Sequence, residues 1–96
     1  MESAKKISKQ LVENRLVACA NLYPIESIYR WENEIEEGQE FAVLLKARVE
    51  DFPLIEKFVK KNHPYKIPCI VMYSIDDGFP PYLEWIKEST NRNQED

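Results

Sequence analysis

Two prolines, Pro64 and Pro68, separate a helical pattern from a strand pattern in the second half of the chain. Proline fixes its own φ angle and has no backbone N–H, so a helix cannot continue through Pro64. Each proline also favours an extended conformation at the preceding residue, here His63 and Ile67. We therefore predict a stiff connector that carries His63, the only histidine, and Tyr65. This connector is either a functional site, because histidine titrates near neutrality and binds metals, or a helix stop followed by strand entry.

Hydrophobic spacing divides the rest of the chain into alternating helices and strands. Apolar residues recur with the helical period over residues 3–15, 51–62 and 80–86. Asp51 is the expected N-cap of the second helix. Strand patterns cover residues 16–28, with a break at Pro24, then 26–32, 41–47 and 67–75. Asn33 and Gly38 both tolerate positive φ, so the polar interval 33–39 predicts a long hairpin connection.

This order of elements indicates an α+β fold. Helices packed on one face of a mainly antiparallel sheet would form a two-layer sandwich. In a split βαβ arrangement the first helix follows a strand, whereas this chain opens directly on a helix.

Composition restricts the classes of function. The chain has 96 residues, a formal net charge of −4, 44% hydrophobic and 31% charged residues, which is typical of one soluble globular domain. The negative charge argues against nucleic acid as a partner. No apolar run is long enough to cross a membrane and no signal peptide is evident, so we predict a cytoplasmic protein. Cys19 and Cys69 are expected to be two buried thiols.

Three stretches, in order, resemble the CutA divalent-cation tolerance family. They are Arg15–Asn21 (RLVACAN), Ser27–Glu32 (SIYRWE) with Glu40 and Leu45–Lys46 downstream, and His63–Pro68 (HPYKIP). The ending Tyr82–Ile86 (YLEWI) is similar to the family as well. The resemblance spans nearly the whole chain, from residue 3 to about residue 90.

The resemblance implies a ferredoxin-like sandwich assembled as a PII-like homotrimer, with clefts at the subunit junctions. Residues 1–90 would form the single domain and residues 91–96 a polar tail. Family members usually carry a strand before the first helix, and this sequence apparently lacks that strand. We therefore expect an N-terminally shortened version of the fold, with two unpaired strand edges where the central strand would lie.

The family resemblance also implies a role in tolerance to divalent metals, chiefly copper, with no enzymatic activity and no organic cofactor. Cys19 and His63 are the candidate ligands for copper(II) or another divalent cation, since copper prefers thiolate and imidazole donors. Their spacing matches no local metal motif, so such a site would have to converge in three dimensions. The alternative for Cys19 is a packed thiol in a strand.

A second set of residues is predicted to line the cleft between subunits. Tyrosine and tryptophan are favoured at interfaces, and a strand-end lysine could meet an anion or a carboxylate there. An alternative function is therefore a PII-like sensor of a small molecule, or a signalling or anchoring trimer. The predicted cleft residues are Lys46, Tyr65, Trp31, Tyr29 and Trp85.

Overall fold

A computed structural model describes residues 2–63 and 67–92. Its elements run in the order α1 (Glu2–Glu13), β1 (Cys19–Trp31), β2 (Glu34–Lys46), a short 3-10 turn (Val49–Asp51), α2 (Phe52–Asn62) and α3 (Pro80–Ser89). The three predicted helices are therefore present. None of the described helices combines the length and apolar character that a membrane crossing requires.

β1 and β2 form one long antiparallel hairpin. Their pairing runs without interruption from Cys19 opposite Lys46 to Trp31 opposite Glu34. The turn consists of Glu32 and Asn33, with φ angles of 50° and 70°. Two consecutive left-handed residues are typical of a tight turn whose twist matches that of the strands. The prediction of positive φ at Asn33 is confirmed.

The rest of the predicted connection is wrong. Residues 34–39 belong to β2, and Gly38 has no positive φ. The tight turn at Asn33 already reverses the chain, so the polar residues that follow form an exposed strand. The predicted break at Pro24 is also absent, since Pro24 pairs with Phe41 inside β1. Within the described residues, β1 pairs on one edge only, and an edge strand accommodates a residue without an N–H.

The core lies between the helices and the base of the hairpin. Its buried residues form one cluster: Leu11 of α1, Val17 from the connection between α1 and β1, and Ile55 of α2. Leu45 and Ala47 pack against this cluster from the end of β2. Because α1 and α2 both contribute to it, these helices cover the face of the sheet that carries Leu45. For α1 and α2, this arrangement matches the predicted layer of helices on one face.

The predicted strand 67–75 is not formed in the single chain. Residues 67–79 have no regular secondary structure, and Tyr73 is 84% exposed. A strand needs a neighbour for its backbone hydrogen bonds, and the described sheet contains only β1 and β2. This two-stranded sheet with helices agrees with the predicted α+β class. The last segment is left without the neighbour that would make it a strand.

Both ends of α2 follow from the sequence. His63 is the C-cap, with an extended conformation, and its N–H donates to the Val59 carbonyl at 2.8 Å. The predicted helix stop is confirmed. Asp51 is the N-cap residue as predicted, but its side chain makes no capping hydrogen bond. Its carboxylate is instead bound by arginines, as described below.

Candidate functional site

The base of the hairpin brings several of the predicted site residues together. Cys19 lies directly opposite Lys46, and directly opposed residues of paired strands project from the same face. The Lys46 ammonium donates a hydrogen bond to the side-chain oxygen of Asn21. From α3, the Tyr82 hydroxyl lies 3.9 Å from Cys19 Sγ, and the Tyr82 and Trp85 ring centroids are 5.5 Å apart. We call Cys19, Asn21, Lys46, Tyr82 and Trp85 the strand-base cluster.

The strand-base cluster combines a thiol, a phenol and a cation on a partly exposed surface. Cys19 and Lys46 are both half-buried. Loss of hydration raises the pKa of the Tyr82 phenol, and the Cys19 thiol adds to this shift. The Lys46 ammonium favours an anion nearby and disfavours a cation. The cluster alone therefore suits a polar or anionic group better than a lone metal ion.

The two predicted metal ligands occupy different elements. Cys19 begins β1, whereas His63 caps the end of α2 and is partly buried. In residues 2–63 and 67–92, no three His, Cys, Asp or Glu side chains are grouped so that they could hold a metal ion. The described residues of one chain therefore do not form a complete site. Tyr65, a predicted cleft residue, lies outside the described residues.

The predicted aromatic cleft residues Tyr29 and Trp31 lie at the other end of the hairpin. Alternate residues of a strand share a face, so both project from the same face as Cys19. Ten residues at about 3.4 Å each place Tyr29 roughly 34 Å from Cys19 along β1. Both aromatic side chains are exposed. Within one chain they cannot take part in the strand-base cluster.

The prediction that both thiols are buried is wrong. Cys69 is exposed and Cys19 is half-buried, and both are unbridged. Cys69 lies in the segment 67–79, which has no strand neighbour to cover it. Its apolar sequence neighbours were a misleading signal, because burial requires a packed neighbour as well as an apolar sequence.

A group of charged residues at the C-terminal end of α3 was not found by sequence reasoning. Asp51 is buried and receives hydrogen bonds from Arg92 at 2.6 and 3.2 Å and from Arg48 at 3.4 Å. The hydrogen bond to Asp51 raises the pKa of Arg92. Arg92 belongs to the segment predicted to be a polar tail, and no local spacing links it to Asp51. We call Arg15, Arg48, Asp51, Thr90 and Arg92 the α3 anchor.

Comparison of the sequence with known proteins agrees with the resemblance seen in its motifs. The family described as CutA1 divalent ion tolerance protein matches residues 1–89. A divalent-cation tolerance protein CutA from Archaeoglobus fulgidus is 42% identical over 89 residues, which cover 93% of this chain and 87% of that protein. The protein of the same name from Thermus thermophilus is 46% identical over 90 residues, with the same two coverages.

Solved structures agree with the sequence comparison. The CutA of Archaeoglobus fulgidus, described as a periplasmic divalent cation tolerance protein, has a TM-score of 0.93 at 41% identity and covers 95% of this chain and 89% of its own. A PII-like CutA from Nostoc sp. PCC 7120, in apo form, has a TM-score of 0.88 at 30% identity, covering 94% of this chain and 88% of its own. Motifs, fold and relatives lead to one conclusion: this chain belongs to the CutA1 divalent ion tolerance family.

Proposed function

We propose that this protein acts in divalent-cation tolerance as a cytoplasmic homotrimer that binds copper between its subunits and catalyses no reaction. Family membership supports the role in tolerance, since the relatives from Archaeoglobus fulgidus and Thermus thermophilus are named for it. The trimer and the absence of a reaction follow the family resemblance, and the cytoplasmic location follows the sequence. The site between subunits is argued from the placement of this chain's own residues.

The observation that carries the proposal is the separation of the candidate site residues along one face of the hairpin. Cys19 and Lys46 lie at its base, whereas Tyr29 and Trp31 lie roughly 34 and 41 Å from Cys19 along the strand. These two ends can meet only if the far end of one subunit reaches the base of another. The exposed apolar side chains of this same face supply a surface for such contact, including Tyr23, Ile25 and Leu44.

Copper follows from the donors that the chain offers. Thiolate and imidazole are preferred ligands of copper, and Cys19 and His63 supply one of each. Because the described residues of one chain form no group of three ligands, the coordination would be completed in the assembly. The metal is then cargo that binds at a subunit junction.

A PII-like sensor is the second candidate, and one observation favours it. The Lys46 ammonium lies within the strand-base cluster, beside Asn21 and opposite Cys19. A cation at this place suits an anionic small molecule better than a metal ion. In this case the junction would bind a metabolite and signal to a partner protein.

Copper titration calorimetry on the purified oligomer, with its mass measured in the same buffer, tests the proposal. We expect a trimer that binds about one copper ion per subunit, the number that one Cys19 and one His63 per chain can supply. Binding should be lost in the His63→Ala, Cys19→Ser double variant. Cys69→Ser is the matched control, because it removes an exposed thiol outside the predicted site.

Other outcomes would reject the copper proposal. Copper binding that survives in the double variant, or that Cys69→Ser abolishes, places the ligands elsewhere. If no saturable binding occurs, the sensor becomes the better account. An anionic metabolite at about 100 times its Kd should then add about 2.7 kcal/mol to the free energy of unfolding. Lys46→Ala should remove that increment.

A further inference from the structure

The attachment of α3 to the rest of the chain is concentrated at its two ends. The segment before it, residues 67–79, has no regular secondary structure and is largely exposed. At its first turn, the Tyr82 hydroxyl lies beside Cys19 Sγ. At its other end, Ile86 of the last turn is buried, and the C-cap residue Thr90 is completely buried. The position of the helix therefore depends on what holds its C-terminal end.

Arginines of the α3 anchor bind the last carbonyls of the helix. Arg15 Nη1 donates to the Glu88 and Ser89 carbonyls, both at 3.4 Å. The Thr90 carbonyl accepts from Arg48 Nη2 at 3.0 Å and from Arg92 Nη1 at 3.2 Å. The last carbonyls of a helix lack partners within the helix and attract positive charge. The three arginines supply both the missing hydrogen-bond donors and the positive charge.

Asp51 holds two of these arginines in place. Its Oδ1 accepts from Arg92 Nη2 at 2.6 Å, and its Oδ2 accepts from Arg92 Nη1 at 3.2 Å. Oδ2 also accepts from Arg48 Nε at 3.4 Å. Paired hydrogen bonds between a guanidinium and a carboxylate fix the geometry as well as adding stability. Arg92 Nη1 further donates to the Arg15 carbonyl at 2.7 Å, which ties the segment after α3 to the turn before β1.

We propose that Asp51 acts as a clasp that positions α3 and thereby controls access to the Cys19 thiol. An α-helix is stiff, and Tyr82 precedes Ser89 by roughly 10 Å of helix length. Release of the C-terminal end displaces the whole helix and takes Tyr82 away from Cys19. With the clasp closed, Tyr82 covers one side of the thiol, and with the clasp open the thiol meets solvent. This inference rests on geometry and does not depend on whether Cys19 binds copper.

The reactivity of Cys19 with Ellman's reagent tests the clasp, in a Cys69→Ser background that leaves one thiol. The Cys19 thiolate attacks the disulfide of the reagent, forms a mixed disulfide and releases thionitrobenzoate, which is measured by its absorbance. Arg92→Gln removes both hydrogen bonds to Asp51 and should raise the rate by about tenfold, given the strength of charged hydrogen bonds. Arg30→Gln is the matched control, because Arg30 is an exposed arginine of β1 and should leave the rate unchanged.

A double-mutant cycle separates coupling from general destabilisation. Tyr82→Phe removes the hydroxyl that lies beside Cys19 and should raise the rate by itself. In the Arg92→Gln background it should add little, because the contact is already lost. Rate increases that simply multiply in the double variant would overturn the proposal, as would an unchanged rate in Arg92→Gln.

Amide hydrogen exchange supplies a readout that thiol access does not affect. In Arg92→Gln, the amides of α3 should exchange faster while those of α1 stay protected, since opening is local. Equal acceleration in α1 and α3 would mean global unfolding and would also overturn the clasp. If Arg92→Gln does not fold, Arg48→Gln takes its place, because it removes only one bond to Thr90 and the longer contact with Asp51.

Discussion

The α3 anchor and the outer part of the hairpin, the end near the turn that carries Ile28 and Ile35, reverse the usual relation between residue type and burial. Asp51 carries a charge and is 3% exposed, whereas Ile28 is apolar and 73% exposed. The difference lies in the partners that each region has within the chain. Arg48 and Arg92 neutralise and bind Asp51, while nothing in the described residues covers Ile28. A buried charge with satisfied hydrogen bonds is stable, and an exposed apolar surface of this kind indicates a partner.

The two regions also contribute to two different kinds of stability. The anchor and the core below it close within one chain, so they determine the stability of the subunit. The outer hairpin and residues 67–79 leave apolar side chains in solvent, so under our proposal their contribution comes only with assembly. Substitutions in the two regions should therefore affect different measurements.

The largest expected effect is in the core. Leu11→Ala removes a buried side chain, 1% exposed, and should lower the free energy of unfolding by about 2–5 kcal/mol. Urea unfolding of the subunit, under conditions where it is monomeric, measures this loss. Ile28→Ala is the matched control and should change the same quantity by less than about 0.5 kcal/mol. A large loss in Ile28→Ala would show that the outer hairpin is packed within its own chain.

A smaller effect is expected at the far end of the hairpin, and it should appear in assembly. Trp31→Ala removes an exposed aromatic side chain of the predicted junction and should weaken subunit association by about 2 kcal/mol. Sedimentation at several protein concentrations would reveal dissociation. Lys57→Ala, on the exposed side of α2, should leave the mass unchanged. If both variants remain fully assembled, Trp31 lies outside the junction.

The smallest effect concerns Tyr82 and pH. Its pKa in the folded chain is raised above the ordinary value of 10.0, mainly by loss of hydration. The stabilisation that it contributes is therefore complete below about pH 10 and is lost as the pH rises through the folded pKa. Tyr82→Phe cannot ionise, so its stability should fall less steeply above pH 10 than that of the parent. Parallel thermal melts from pH 9 to 11 measure the difference, and identical slopes would contradict it.

Much of the fold could be predicted because its signals are local. The apolar stripe of 51–62 gave α2, and Pro64 correctly placed its end at His63. The positive φ of Asn33 was readable from the residue type. Errors arose where local chemistry permits two outcomes. Pro24 is tolerated in β1 because of the open edge, and the polar residues 34–39 continue β2 because the turn was already complete.

Some members of the candidate site could be predicted, whereas Asn21, Tyr82 and the grouping of the whole site could not. Cys19, Lys46 and Trp85 could be named from residue types and motifs. That Cys19 lies opposite Lys46 depends on the hairpin register, which the turn at Glu32 and Asn33 determines. That Tyr82 reaches Cys19 depends on the position of α3, which no pattern within that helix specifies.

The sequence by itself determined the local elements, the family and the residue types that can bind a metal or an anion. Periodicity, turn residues and motifs act over a few positions, so they can be read along the chain. Only the tertiary structure decided which side chains meet, such as Asp51 with Arg92, 41 positions apart. It also decided that residues 67–75 have no strand neighbour among the residues that the structure describes. Contacts between distant residues depend on how the elements pack against one another, and local sequence patterns do not specify that packing.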